Sequence, residues 1–302
     1  MAMTRNTKLT LGPLLFNWPA ERRRDFYFAI ADSSPYDVVH IGEAVCHKRQ
    51  RFLEPYLDEI LRRLTVAGKE VVLSTLMLVA SRQERESTLG MAEAAGEYLI
   101  EANDLSAATA LKGHPFVVGP MVNVYNEATL GHLAALGATR FCLPAELPLS
   151  AIADLARGGK AEIEIQTFGR VPLAISSRCY HARLHHLHKD GCRFVCGKDS
   201  DGLAVETLDG APFLAINGTQ TMSYRYQRLL QELPALSAAG VTHLRLWPHY
   251  CDMAAVGEIY RTLLDGGIGP DEAAVWLDKV VPDAEFANGF IHGRAGAAMI
   301  EA

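Results

Sequence analysis

Apolar positions along the chain alternate between two spacings, one typical of buried strands and one typical of helices. Short apolar runs at Asp37–Ile41 and Glu70–Thr75 indicate strands. Between them, Phe52–Ala67 carries apolar residues at helical spacing, and Gly68 stops that helix. The alternation continues to a strand at Val241–Leu246. The whole pattern predicts about eight strand–helix units.

Strands that alternate with helices imply a parallel sheet, and eight such units favour an α/β fold of the (β/α)8, TIM-barrel-like kind, either regular or distorted. An open doubly wound sheet is the alternative, but no G-x-G-x-x-G opens a helix. Residues 1–302 are predicted to form a single barrel-like domain. An insertion at approximately 178–220 follows the late strand Ala161–Thr167, and a helix at Tyr224–Leu236 resumes the alternation.

Composition narrows the class of protein. The 302 residues are 49% hydrophobic and 21% charged, which is ordinary for a soluble globular chain. A net charge of −6 does not favour bulk attraction to nucleic acid, and no apolar run reaches the ~20 residues of a membrane span. The first residues, Met1–Lys8, contain no hydrophobic signal core, so we expect a cytoplasmic protein. Disulfides are unusual there, so the cysteines are interpreted as thiols or metal ligands.

Three of the six cysteines lie within nineteen residues, in the run R-C-Y-H-A-R-L-H-H-L-H-K-D-G-C-R-F-V-C. They are Cys179, Cys192 and Cys196, and basic residues surround them, which favours the thiolate form that binds metals. Cys46 lies far upstream, after the strand Asp37–Ile41, and also has a basic flank. In a barrel, loops that follow strands share one face, so these four cysteines are predicted to form a single metal site.

The spacing of the cysteines leaves the metal open. Zinc sites usually pair their cysteines as C-x2–4-C twice, and only Cys192 and Cys196 form such a pair here. The other two cysteines are scattered, which suits a larger group such as a 4Fe–4S cluster. Spacing therefore favours the cluster over tetrahedral zinc, while zinc and the absence of any metal remain alternatives.

Other polar residues fall near the same face. Three of four nearby histidines share a helical face by spacing, and all four are interpreted as solvated: His181, His185, His186 and His188. Cys142 and Cys251 are interpreted as core residues. Further candidates at strand ends are Glu43, Asn123, Tyr125, Gln166, Arg170, Arg245 and His249. An arginine inside an apolar strand needs an anionic partner, so a structural ion pair is expected at Arg245.

Three segments resemble the collagenase-like peptidase family. They are D-V-V-H-I-G-E-A-V-C-H-K-R at 37–49, E-I-E-I-Q-T-F-G-R-V-P-L-A-I-S-S-R-C-Y-H-A-R at 162–183 and N-G-F-I-H-G-R-A-G at 288–296. The resemblance covers nearly the whole chain, and the cysteine arrangement is its most specific part. It is closest to a branch of the family that takes part in dioxygen-independent ubiquinone biosynthesis.

One departure from the family pattern is informative. The family places two cysteines in a run like H-G-x-x-C-x-x-x-S-G-x-C, but here the first falls on Pro172 and the second on Cys179. Proline cannot bind a metal. Cys46 could supply the missing thiolate, and the ubiquinone-related branch resembles this sequence in having a cysteine there.

The resemblance implies a 4Fe–4S cluster held by Cys46, Cys179, Cys192 and Cys196. It also implies a heterodimer with a homologous subunit of the UbiU type, which hydroxylates a ubiquinone precursor without dioxygen. A lipid-binding protein could present that precursor. Catalytic residues stay unassigned. The alternatives are a collagenase-like peptidase, although the chain has neither H-E-x-x-H nor G-x-S-x-G, and a structural subunit whose cluster only stabilises the complex.

Overall fold

Eight parallel strands close into a barrel in the computed structural model, which describes residues 7–159 and 161–301. The first six residues, part of the segment predicted to lack a signal core, lie outside the described residues. The strands in chain order are β1 (Lys8–Leu11), β2 (Val38–Ile41), β3 (Glu70–Ser74), β4 (Leu99–Ala102), β5 (Phe116–Val118), β6 (Ala138–Cys142), β7 (Glu162–Ile175), β8 (Leu203–Glu206), β9 (Pro212–Asn217), β10 (Gln220–Arg228), β11 (His243–Leu246) and β12 (Phe286–Ala287).

The barrel consists of β1 to β7 followed by β11, each paired in parallel with the next. It closes because β11 pairs with both β7 and β1. The predicted (β/α)8 architecture is therefore confirmed. Consecutive parallel strands need a crossover segment between them, which explains why helical and strand patterns alternate along the sequence.

Helices cover the outside of the barrel and bury their apolar faces against it. They are α1 (Ala20–Ser33), α2 (Leu57–Val66), α3 (Arg82–Ala92), α4 (Leu105–Ala110), α5 (Glu127–Leu136), α6 (Leu149–Ala156), α7 (Tyr180–Leu184), α8 (Leu233–Ala238), α9 (Met253–Leu264) and α10 (Pro270–Val280). Short 3-10 helices occupy His47–Phe52, Glu54–Tyr56, Pro120–Val122 and Val195–Lys198. Within residues 7–159 and 161–301, none of the helices combines the length and apolar character that a membrane crossing needs.

The predicted helix at Tyr224–Leu236 is wrong. Its first five residues belong to strand β10, and only Leu233–Ala238 is helical. The run T-M-S-Y-R-Y-Q-R alternates in the way of a strand, and β10 pairs antiparallel with both β7 and β9. Tertiary pairing therefore overrides the local helical pattern.

A ribbon of antiparallel strands rises from the barrel where β7 continues beyond its barrel partner. The first half of β7 pairs with β6 and β11, and its second half, from Phe168, pairs with β10. Gly169 lies at the change of partner with φ +104°, and a Cβ there would lie 2.7 Å from Nε2 of His249. Only glycine fits both the backbone angle and the close approach. The ribbon, completed by β9 and β8, carries the cysteine-rich segment.

The centre of the barrel holds a charged network instead of the usual apolar layers. Arg245 on β11 donates to both oxygens of Glu164 on β7, at 2.9 and 3.0 Å, and to Glu101 on β4 at 2.6 Å. All three side chains are fully buried. His40 on β2 and Ser74 on β3 complete the network around Glu101. The ion pair predicted for Arg245 is therefore confirmed.

Candidate metal centre

The four predicted ligand cysteines line one cavity above the barrel. Cys46, Cys179, Cys192 and Cys196 all border it, and none of them forms a disulfide. They come from the loop after β2 and from the segment between β7 and β8, and Cys46 is 133 positions before Cys179 in the sequence. The closed barrel brings them together, because both segments leave from the carboxyl ends of its strands. Their role as ligands stays a prediction.

Local structure fixes the two outer cysteines of this set. Cys46 immediately precedes the 3-10 helix His47–Phe52, in a loop that begins at Gly42. A Cβ at Gly42 would clash with the carbonyl oxygen of Ser74, and its φ of +148° also favours glycine. Cys179 caps helix α7, where its Sγ accepts a hydrogen bond from the backbone N–H of Ala182 at 3.5 Å. Both thiols therefore have defined positions at the cavity wall.

Cys196 lies in the 3-10 helix Val195–Lys198 and is 7% exposed. Its Sγ accepts a hydrogen bond from Nδ2 of Asn17 at 3.5 Å. Such bonds stabilise a thiolate relative to a thiol and tune a metal bound to it. Cys192 precedes this helix in a loop and is half-buried.

The three residues Asp199–Asp201 tie the cysteine segment to the rest of the molecule. Asp199 accepts a hydrogen bond from Nε2 of His181 at 2.9 Å, and Asp201 accepts one from Nδ1 of His249 at 2.6 Å. Between them, the carbonyl oxygen of Ser200 accepts a bond from the indole of Trp18 at 2.6 Å. The chain just after Cys196 is therefore held at three consecutive residues.

Two buried arginines face a single carboxylate beside the cavity. Arg23 and Arg49 are each 1% exposed, and their guanidinium groups lie 3.3 and 4.0 Å from the carboxylate oxygens of Glu43. The Nε atoms of both arginines lack a hydrogen-bond partner within residues 7–159 and 161–301. Burying an unpaired cation is costly. Arg49 lines the cavity, and Cys196 is its strongest electrostatic partner, so an anionic occupant or thiolates would offset this charge.

Glu43 also shapes the loop that carries Cys46. One of its carboxylate oxygens accepts the backbone N–H groups of Val45 and Cys46, each at 3.1 Å. The hairpin between β9 and β10 closes the cavity from above, and Thr219 donates to the carbonyl oxygen of Val45 at 3.2 Å. The backbone around Cys46 is therefore fixed from two sides.

Burial keeps the free thiols protonated at neutral pH. It raises the pKa of Cys46, an effect that neighbouring Arg49 only partly opposes. Burial also raises the pKa of Cys179, against the opposing hydrogen bond from Ala182. Metal binding at this site would therefore release protons and grow stronger as pH rises.

The four thiols border a common cavity rather than a point. Among the described residues 7–159 and 161–301, no three histidine, cysteine, aspartate or glutamate side chains converge as tightly as the ligands of one metal ion do. The walls also include Arg49, Lys189, Phe194 and the hairpin residues Gly218 and Thr219.

The histidine prediction is wrong for His181. It is fully buried, with Nδ1 accepting the backbone N–H of Gly218 at 2.9 Å and Nε2 facing Asp199. Helix α7 ends at Leu184, so His185 and His188 do not continue its face. The short helix and the buried pair with Asp199 give His181 a structural role, which helical spacing alone does not indicate.

The remaining candidates lie away from the cysteine cavity. Cys142 is 1% exposed inside the barrel, and Cys251 packs at the edge of the core. Arg170 and His249 join Asp201 and Tyr226 in the cluster beneath the ribbon. A separate cavity at the ends of β5, β6 and β7 is lined by Asn123, Tyr125, Gln166 and Pro172. Position 172, where the family pattern has a cysteine, therefore faces a different space.

Sequence reasoning missed the residues that hold the site together. Arg23, Arg49, Asn17 and the pair Asp199 and Asp201 act through contacts with distant parts of the chain. The run D-S-D just after Cys196 was an available signal, because clustered aspartates beside a cysteine loop need cationic or hydrogen-bonding partners.

Replacing Glu43 by alanine is expected to loosen the Cys46 loop. The change removes the acceptor of two backbone N–H groups and leaves two buried guanidinium groups without a carboxylate partner, so the free energy of unfolding should fall by about 3–5 kcal/mol. In metal-free protein, the Cys46 thiol should also react faster with iodoacetamide, followed by mass spectrometry. Glu43→Gln should keep the loop but not the charge. Glu54→Ala, at an exposed site, is the matched control. Unchanged stability and reactivity in Glu43→Ala would show that the carboxylate does not position this loop.

Fold and site together define an α/β-barrel protein with a four-cysteine cavity at the carboxyl end of its strands. The chain belongs to Peptidase family U32, whose family model matches residues 21–301. This confirms the resemblance to the collagenase-like peptidases at the level of the family.

Solved structures of similar fold include dihydropteroate synthase from Thermus thermophilus. It is 14% identical, with 90% of this chain and 94% of that chain covered and a TM-score of 0.42. The synthase from the same organism in complex with 4-aminobenzoate is 12% identical over 90% and 94% of the two chains, with a TM-score of 0.39.

Proposed function

We propose that this chain is a UbiV-type iron–sulfur protein, one subunit of a system that hydroxylates a ubiquinone precursor without dioxygen. The observation that carries the proposal is the single cavity bordered by Cys46, Cys179, Cys192 and Cys196 beside a buried, incompletely paired arginine. Four thiolates are the ligand set of a 4Fe–4S cluster, which is an anionic group that transfers single electrons when bound.

The donor set and its surroundings fit such a group. Arg49 brings a buried positive charge to the cavity wall, and Asn17 and the backbone N–H of Ala182 direct hydrogen bonds at two of the sulfurs. Hydrogen bonds and charges of this kind tune iron–sulfur potentials. The hairpin around Gly218 covers the cavity and limits the access of water, with Gly218 required because a Cβ would lie 2.6 Å from Nη2 of Arg49.

The second part of the proposal is a heterodimer with a UbiU-type homologue. It rests on the resemblance of the segments at 37–49, 162–183 and 288–296. Cys46 and Pro172 support this branch of the family, because the site replaces the thiol that the general pattern places at position 172. The ubiquinone precursor would be presented to the heterodimer by a lipid-binding protein.

The test is anaerobic co-expression of this chain with a UbiU-type homologue. We expect a one-to-one complex in size-exclusion chromatography and hydroxylation of a ubiquinone precursor only when both subunits are present. Each subunit assayed alone is the control. A persistent monomer with full activity would contradict the heterodimer.

The same preparation separates the two alternatives. A complex that forms and holds its cluster, but hydroxylates equally well when the cluster of this chain is removed, would make this chain a structural subunit. Release of peptides from gelatin by the purified chain would favour the peptidase that the family name suggests. We expect neither result.

A further inference from the structure

Four exposed cations surround the cysteine cavity without any partner. Arg178, Arg183, Arg193 and Lys198 each lie within four residues of Cys179, Cys192 or Cys196, and all four are exposed. Their side chains make no hydrogen bond or ion pair with any part of the chain in residues 7–159 and 161–301. We call these four residues the cationic rim.

The acidic residues of the same segment are already engaged. Asp190 pairs with Lys48 at 3.0 Å, Asp199 with His181 at 2.9 Å and Asp201 with His249 at 2.6 Å. No carboxylate of residues 178–201 is therefore left to neutralise the cationic rim. The chain as a whole carries a net charge of −6, so this local positive surface runs against its overall charge.

The backbone holds part of the cationic rim in a defined orientation. Arg193 and Phe194 both adopt positive φ angles, +50° and +52°, which residues other than glycine rarely do. Phe194 packs edge-on against Phe52, with ring centroids 4.9 Å apart, and lines the cavity. Arg193, the neighbour of Phe194, is exposed to solvent. Such strained residues persist where surrounding contacts over-determine them, often at functional sites.

Two exposed apolar side chains lie among these cations. Tyr180 is 40% exposed and Leu184 is 54% exposed, both on helix α7 between or beside Arg178 and Arg183. An apolar centre with a charged rim is the usual anatomy of a protein–protein interface, and tyrosine and arginine are enriched among its strongest contacts. This composition favours a protein partner over a nucleic-acid backbone or a lipid surface.

We propose that the cationic rim docks a small acidic protein that carries single electrons and exchanges them with the group held by the four cysteines. This inference rests on the proposed function. In the forward direction, a reduced flavin carrier passes from hydroquinone to semiquinone and gives up one electron, which the cluster accepts. Complementary charge steers such short-lived encounters and makes their rate depend on salt.

The test uses flavodoxin, an acidic one-electron carrier, and the anaerobically purified holoprotein. The variant Arg178→Glu/Arg183→Glu reverses two rim charges, and Arg62→Glu/Lys112→Glu reverses two exposed, unpaired cations outside the segment that covers the cavity. Binding is measured by titration and electron transfer by stopped-flow absorbance. We expect the rim variant to weaken both by about tenfold or more, and the control to leave both unchanged. Raising ionic strength from about 20 to about 200 mM should weaken the wild type but not the rim variant.

Reduction by dithionite separates the two proposals. If the cluster is present and dithionite reduces every variant alike, while flavodoxin acts equally on wild type and rim variant, the docking inference falls and the proposed function stands. Binding to vesicles containing phosphatidylglycerol, or to single-stranded RNA, in place of flavodoxin would also overturn it. Purified protein without iron would overturn the proposed function and the electron carrier together.

Discussion

Cys46→Ser should lose most of its iron and all hydroxylation activity, although Cys46 lies 133 positions before the next proposed ligand. Serine is a much poorer ligand for iron–sulfur clusters than a thiolate, and all four thiols border the same cavity. The loss should match that of Cys179→Ser, Cys192→Ser and Cys196→Ser. Iron content and visible absorbance of anaerobically purified variants measure it.

The matched controls for this series are the two cysteines outside the cavity. Cys142→Ser and Cys251→Ser should keep the cluster, and the buried Cys142→Ser should cost about 1–3 kcal/mol of stability if its hydroxyl lacks a partner. If Cys46→Ser keeps a full cluster while either control loses it, the proposed ligand set is wrong. The interpretation of Pro172 then falls with it.

Arg245→Met is expected to be the most destabilising single change in the barrel. It leaves the carboxylates of Glu101 and Glu164 buried without their cation, and removing one partner of a buried ion pair costs about 3–5 kcal/mol. Urea unfolding at neutral pH measures the loss. The control is Arg157→Met at an exposed pair with Asp154, which should change stability by less than about 0.5 kcal/mol.

The pH dependence of the same variant gives a second check. In the wild type, burial would raise the pKa of Glu164, but Arg245 outweighs it and lowers that pKa from 4.5 to about 2. This contribution is complete above pH 4.5 and is lost as pH falls through about 2. Without Arg245, burial dominates and the carboxyl takes up a proton more readily. The deficit of Arg245→Met should therefore shrink from about pH 8 to about pH 5. A deficit that stays constant would show that charge burial is not its cause.

The barrel could be predicted from the sequence because its strands carry local signals. Runs such as D-V-V-H-I are apolar and short, and each is followed by a helix of matching period. The ribbon could not be predicted as well. Residues Tyr224–Arg228 become strand β10 only because β7 and β9 offer pairing partners, and the turn of β7 at Gly169 depends on contacts with His249 and Trp247.

The cysteines of the site were predictable, whereas the residues that support them were not. Cys46 and Cys179 follow strand ends, and barrel topology alone directs both to one face. The pairing of Arg23 and Arg49 with one Glu43 depends on tertiary distances that no spacing rule contains. The same holds for His181, which helical spacing suggested as solvated and which the fold buries against Asp199.

The most direct test of the central claim is iron, zinc and acid-labile sulfide analysis of the chain purified without air. The account predicts a brown protein that absorbs broadly near ~400 nm and carries about four iron and four sulfide per chain. Cys46→Ser prepared in parallel should carry little of either. A colourless protein with one zinc per chain, held by the same four cysteines, would contradict the account.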